Sequence, residues 1–267
     1  MGDDLDLSEA SLAAALDAGE FVLYYQPDFD PKTEEVSDLE AFLRWNHNTR
    51  GLCNAASFIA GFERSKELIS RIDQWVLNAA MTQGKRFLDD AHVIQTVSVN
   101  LSNWLSGDEL VASVQAALKA TRFPAKSLSL ECPWRMFAAH SEKIIPVMHK
   151  LNDLGCTLVM DGSPLEQESL DILKGIPVTT SKICYAALRG KVDEAGVAAA
   201  SELIKRLCRM KVKVVVVGVE NEEHAELAQQ VGCSLSQGNR FKSPLSADHV
   251  LQLLDVIKKT KDAFKLL

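Results

Sequence analysis

The sequence has no C-x-x-C pair among its six cysteines, Cys53, Cys132, Cys156, Cys184, Cys208 and Cys233. Their wide spacing argues against a zinc cluster or a dithiol redox motif. Several lie in apolar runs, where cysteine behaves as a small hydrophobe, so reduced thiols and a cytoplasmic location are expected. Basic residues are not in excess: 29 Lys and Arg stand against 36 Asp and Glu, for a net charge of −7. That balance argues against a general nucleic-acid binder, which carries a basic patch or stripe, and requires a locally basic pocket for any anionic ligand. No run approaches the roughly 18 apolar residues of a membrane span, and the opening MGDDLDLSEA lacks the basic and apolar regions of a signal peptide. No Pro/Gly/Ser-rich linker, repeat or low-complexity tract is present. A single domain over 1–267 is expected, with its core at about 20–257. The initial Met-Gly reads as an expression start, so the domain is expected to come from a longer multidomain protein.

What is present is a large apolar fraction, 47% of residues, arranged with two periods. After a helix signal capped by Ser8, the strand-like runs FVLYYQP and VSDLEAFLRW flank the turn-rich DFDPKTEE, a spacing that suits a hairpin. Strands and amphipathic helices then alternate. The further strands are TVSVNLS, SLSLEC, CTLVMD, TTSKIC, VKVVVVGVE and CSLSQG, each followed by a helical pattern. Such alternation implies a mostly parallel sheet covered by helices, and eight strands favour a closed barrel. The expected fold is therefore α/β, a modified TIM (β/α)8 barrel with one antiparallel strand.

In such barrels function gathers at the C-terminal ends of the strands. Polar residues recur there: Gln26, Glu40 with Arg44, Asn100, Glu131, Asp161, Lys182, Glu220 and Gln237. A ring of carboxylates, amides and two cations suits a polar, anionic ligand, with or without a divalent metal. Each member also has an ordinary alternative: Asp161 as a turn residue, Lys182 as a snorkelling side chain, Glu220 as a helix N-terminal acid.

The motifs YYQP, LEAFLRW, VSVNLS, LSLE, LVMD, SKI, VVVVGVE and SQGNRFKSPL resemble, in order and spacing, those of EAL domains, which bind and usually hydrolyse cyclic di-GMP. The resemblance implies that Glu40, Asn100, Glu131 and Asp161 occupy metal-ligand positions. It also exposes departures. Gly162 stands where a second aspartate is usual, Val217 where a glutamate is usual, Trp134 replaces a carboxylate, and Cys184 replaces the aspartate of K-I-D. Two-metal phosphodiester hydrolysis needs both ions held. These losses lead to the expectation of a non-enzyme with no catalytic residue, no metal requirement and four remnant ligands.

The nucleotide itself is expected to be held by Gln26, Glu40, Phe42, Leu43, Arg44, Asn100, Glu131, Asp161, Lys182, Glu220, Gln237, Phe241 and Pro244. Arg44 can offer a planar fork to a phosphate. The E-A-F variant of the signature resembles EAL domains of the FimX type, which implies a cyclic di-GMP receptor acting through a PilZ-type adaptor in type IV pilus control and twitching motility. Two alternatives stay open at this point. One is a nucleotide-independent interaction domain using Trp134, Met136 and Phe137; the other is a weak phosphodiesterase with one metal on Glu40, Asn100, Glu131 and Asp161.

Overall fold

The computed structural model describes residues 5–91, 94–188 and 193–264. Helix α1 (Glu9–Asp17) starts as expected, with the Ser8 hydroxyl accepting from the Ser11 amide. The hairpin follows: β1 (Phe21–Phe29) pairs antiparallel with β2 (Val36–His47). Its turn is fixed by the Asp30 carboxylate, which accepts from the amides of Lys32 and Thr33 at 2.7 and 3.0 Å. A short strand β3 (Gly51–Asn54) folds back on β2, and helices α2 (Ile59–Glu63) and α3 (Lys66–Ala91) lead to β4 (Thr96–Asn100). The alternation continues through α4 (Asp108–Thr121), β5 (Leu128–Pro133), α5 (Trp134–Asp153), β6 (Thr157–Asp161), α6 (Gln167–Leu173) and β7 (Thr180–Cys184). It ends with α7 (Glu194–Arg209), β8 (Lys213–Val217), α8 (Glu222–Val231), β9 (Leu235–Gln237), β10 (Leu245–Ser246) and α9 (Ala247–Phe264).

The barrel closes through the ring β1–β2–β4–β5–β6–β7–β8–β9 and back to β1. Only β1 runs against its neighbours, antiparallel to β2 and to β9; β3 and β10 lie outside the ring as additions to β2 and β1. The expected fold is thus observed, with two short strands that the pattern did not announce. Helix α5 begins at Trp134, directly after β5, and consists of two helical pieces joined at a kink at His140. Strand β8 stops at Val217, since Gly218 turns the chain with φ of +80°.

Strand side chains alternate between two environments. Leu39, Val97, Val99, Leu128, Leu130, Leu158, Met160, Ile183, Val214 and Val216 are fully buried and form the strand side of the core. Their helix partners include Met81, Phe87, Val114, Ile144, Met148, Ile204 and Leu227. The intervening positions are polar: Asp38, Glu40, Ser98, Ser129, Glu131 and Lys182 are buried as well. The apolar core therefore lies between barrel and helices, and the barrel interior is a second, polar core.

Closure of this interior depends on Gly238, directly after Gln237. A Cβ placed there would lie 2.0 Å from the Val219 carbonyl oxygen and 2.5 Å from its carbonyl carbon. No side-chain rotation relieves a clash with backbone. Gly238→Ala is expected to lower urea-unfolding stability by about 3 kcal/mol or more, at the upper end of overpacking costs; an unchanged unfolding midpoint would contradict this close approach.

Candidate functional site

The register brings the polar positions together. Gln26 lies opposite Glu40, and Asp28 opposite Asp38, across the β1–β2 ladder. Glu40 aligns with Ser98 on β4, and Asn100 with Glu131 on β5. One buried cation ties the group together. The Lys182 ammonium donates to Glu40 Oε2 and to Glu131 Oε1, with all three side chains nearly inaccessible to solvent. Glu40 also accepts from Asn100 Nδ2 at 2.7 Å and from Gln237 Nε2 at 2.9 Å. The same Gln237 nitrogen donates to Asp28 at 2.8 Å. From the backbone side, the Trp104 indole holds the Glu131 carbonyl at 3.1 Å.

The electrostatics follow from burial. Desolvation works against the charge of Lys182, yet Glu131, Glu40 and Asp28 together raise its pKa well above the ordinary value. Burial also raises Glu131, with Glu40 adding and Lys182 opposing. Burial pushes Asp28 up to about 7, against the pull of Lys182. Asp161 is raised by burial too, with Lys182 opposing. Asp38 has a different setting, accepting from Ser37 Oγ, the Thr96 amide and the Thr96 hydroxyl at 2.7–3.1 Å.

Other expected residues are spread around this centre. Phe42, Leu43 and Asn100 line a cavity of about 250 Å³ between β2, β4 and α3, together with Ala41, Asp73 and Pro133. Arg44 lies over the Phe42 ring at 5.5 Å and donates to the Leu43 carbonyl at 3.0 Å. Gln26 Nε2 donates to the Lys242 carbonyl at 2.8 Å, pinning the segment after β9. Phe241 has its ring stacked on Phe29 at 5.2 Å with Arg240 over it at 5.4 Å. Pro244 is half-buried just before β10. Glu220 is exposed and borders a different cavity with Tyr185 and His224, so the Glu40–Lys182–Glu131 group does not include it. On helix α5, Trp134 and Met136 pack partly buried on the apolar core and Phe137 is fully buried in it.

Three residues escaped the sequence reading. Asp28 and Asp38 share the strand alternation of Gln26 and Glu40, and that period could have found them. Asp73 sits on the apolar face of α3, within IDQWVL; an acid in a buried stripe was the available signal. Its Oδ2 accepts from the amides of Ser102 and Asn103 at 3.1 and 2.9 Å.

A buried polar ring at the C-terminal mouth of a (β/α)8 barrel, rich in carboxylates and crossed by one lysine, defines a site for a polar, charged ligand. The chain belongs to the EAL domain family, whose profile matches residues 9–244. It is 29% identical over 242 residues to the bifunctional diguanylate cyclase/cyclic di-GMP phosphodiesterase MucR of Pseudomonas aeruginosa, covering 90% of this chain and 35% of MucR. It is likewise 29% identical to the cyclic di-GMP phosphodiesterase NbdA of the same organism, covering 89% of this chain and 30% of NbdA. The chain therefore spans about a third of the length of these curated relatives. The structure of the MucR phosphodiesterase in complex with cyclic di-GMP superposes with a TM-score of 0.83 at 28% identity, over 92% of this chain and 100% of that one. The FimX EAL domain of P. aeruginosa bound to cyclic di-GMP shares the fold, with a TM-score of 0.77 at 22% identity over 91% of this chain and 97% of that one.

These relatives overturn two expectations. The departures at Gly162 and Val217 do not make the chain a non-enzyme, since it belongs to the EAL family and the relatives above carry phosphodiesterase in their names. The expectation that no metal is required falls with it. Oxygen donors of the kind preferred by magnesium and manganese remain at Glu40, Asn100, Glu131 and Asp161. Among the described residues, the Glu131 Oε2 atom is buried with no hydrogen-bond partner, an orphaned acceptor that a cation would satisfy. Among the described residues no three His, Cys, Asp or Glu side chains already surround one point; the Lys182 ammonium stands between Glu40 and Glu131. A divalent ion held by oxygens of Glu40, Asn100, Glu131 and Asp161 would polarise a phosphoryl oxygen and lower the pKa of a bound water to about 7.

Asp73 supplies a pH test. Burial raises its pKa from the ordinary 3.8 to about 7, despite the two amide donors. A carboxyl that stays protonated when folded and ionises when unfolded makes stability fall as pH rises, here between about 4 and 7. Asp73→Asn should flatten the fall in urea-unfolding stability between pH 5 and 7. Equal slopes for both proteins would show that Asp73 is already ionised in the fold.

Proposed function

We propose that this chain binds cyclic di-GMP across the mouth of its barrel and cleaves a phosphodiester bond, with Glu40, Asn100, Glu131 and Asp161 as the ligands of a divalent cation. The observation that carries the reading is the convergence of Glu40 and Glu131 on Lys182, with Asn100 donating to Glu40 beside a cavity that Asn100 and Asp73 help to line. The phosphodiesterase relatives support the reaction class. Asn100 holds Glu40 in place and lines the cavity. Lys182 keeps the two glutamates from repelling one another and contributes positive charge toward a phosphate. Arg44, whose guanidinium is oriented by Phe42 and the Leu43 carbonyl, offers a second cation.

The cavity has the chemistry of a guanine pocket. Phe42 and Leu43 provide apolar faces, and Asp73 has Oδ2 committed to two amides while Oδ1 takes no bond from them. In its ionised form, reached above about pH 7, the Asp73 carboxylate matches the N1–H and N2–H donors of guanine and repels the acceptor at the same edge of adenine. A site built to satisfy such donors rejects ligands that lack them by large factors.

The E-A-F variant of the signature supports a second, compatible reading, in which a PilZ-fold adaptor senses the ligand-bound domain in type IV pilus control. Co-purification of a PilZ protein that is unchanged by cyclic di-GMP would count against it.

Calorimetric titration with manganese present is expected to show binding of cyclic di-GMP, with cyclic di-AMP at least about 100-fold weaker and Asp73→Asn narrowing that ratio. Linear dinucleotide should accumulate in the same sample and vanish with Glu40→Gln. Gly162 has φ of +67°, and no atom lies within 4 Å of the place a Cβ would take; aspartate tolerates that backbone conformation. Gly162→Asp should therefore raise turnover by adding a carboxylate beside Asp161. Tight binding with no linear product from either protein would refute the cleavage step, and no binding would refute the whole reading.

A further inference from the structure

Asp28 belongs to no motif that defines the site, yet it is buried at 4% exposure in the polar interior of the barrel. Its place costs stability. It lies directly opposite Asp38 on the neighbouring strand, and like charges in that relation are unfavourable. Asp38 collects three donors, from Ser37 and Thr96. The donor to Asp28 is the Gln237 side chain, at 2.8 Å. A conflict of this kind, retained inside a closed barrel, is the local inconsistency expected at functional positions.

The geometry shows what the conflict accomplishes. Gln237 Nε2 is held between two carboxylates, Asp28 Oδ1 at 2.8 Å and Glu40 Oε2 at 2.9 Å. The nitrogen end of the amide, with its two N–H donors, is the end that can serve both acceptors at once. The amide is therefore locked in one of its two orientations, and its oxygen end is fixed as an acceptor elsewhere. Glu40 alone would give half of this lock, and Glu40 already serves Lys182 and Asn100.

We propose that Asp28 is a positioning residue for nucleotide recognition, setting the orientation of the Gln237 amide and, through it, the placement of Glu40. This rests on the reading that the mouth of the barrel binds cyclic di-GMP.

The test uses Asp28→Asn, which keeps an oxygen acceptor for Gln237, and Asp28→Val, which removes it and suits a strand. Affinity for cyclic di-GMP should stay within about twofold in Asp28→Asn and fall at least about fivefold in Asp28→Val, the loss of one hydrogen bond to a charged group. The unfolding midpoint of Asp28→Val should stay level or rise, whereas a merely structural role would lower it. In a Gln237→Leu background, Asp28→Val should cost no further affinity. Full wild-type affinity in Asp28→Val, or the same loss with and without Gln237, would overturn the inference. One readout does not need the nucleotide: the Gln237 side-chain amide signals in an ¹⁵N correlation spectrum, assigned by their disappearance in Gln237→Leu. Those signals should persist in Asp28→Asn and shift in Asp28→Val. Unmoved amide signals would overturn the inference even if wild-type protein bound no nucleotide, an outcome that would separately refute the binding reading.

Discussion

The ammonium of Lys182 is the interaction on which the interior depends. Glu40 comes from β2, across the barrel from β7, and Glu131 from β5, two strands away, and both meet the lysine with almost no solvent access. Taking three charges out of water is expensive, and the arrangement is tolerable only because each is paired and hydrogen-bonded. Removing the cation alone would leave two buried carboxylates facing each other, typically a loss of about 3–5 kcal/mol. The strands of the barrel are thus tied across its axis by charge as well as around it by backbone ladders.

This polar core leaves a surplus of acids. Asp28, Asp38, Glu40 and Glu131 are buried with one lysine, and Asp161 lies half-buried at the rim. The surplus is met in different ways: Asp38 by three donors, and Asp28 by a pKa pushed up to about 7, which burial causes. A divalent cation at the mouth would remove the remainder, and the partnerless Oε2 of Glu131 lies where that compensation is missing among the described residues. The site and the fold draw on the same charges. Substitution of a ligand should therefore never be read as a change in function alone.

Most of the architecture was legible in the sequence because strand and helix periods differ and each strand carries its apolar residues on one face. Ser8, the hairpin over Phe21–His47 and the barrel order could be read that way. The elements that escaped reading were short or broken: β3 and β10 have four and two residues, and α5 begins before a kink that hides its first turns. For the site, strand ends pointed to Glu40, Asn100, Glu131, Asp161 and Lys182. Glu220 and Phe241 lie outside the Lys182 group because β8 ends early at Gly218 and because the Phe241 ring packs against Phe29 and Arg240. Asp28 was hidden because DFDPKTEE reads as a turn whereas β1 runs on to Phe29, and Asp38 because it lies early in β2, away from the strand ends where polar residues were sought.

The departures at Gly162 and Val217 have a physical meaning narrower than loss of activity. A missing carboxylate weakens the hold on one cation; it does not alter the network that fixes Glu40, Asn100, Glu131 and Lys182. That network is made by β1, β2, β4, β5, β7 and β9, none of which contains either departure. Gly162 follows the end of β6 on the exposed rim, and Val217 ends β8. The altered positions are therefore at the edge, and the buried centre keeps its charges. Changes at the rim leave this network intact, because the residues that make it also hold the strands together.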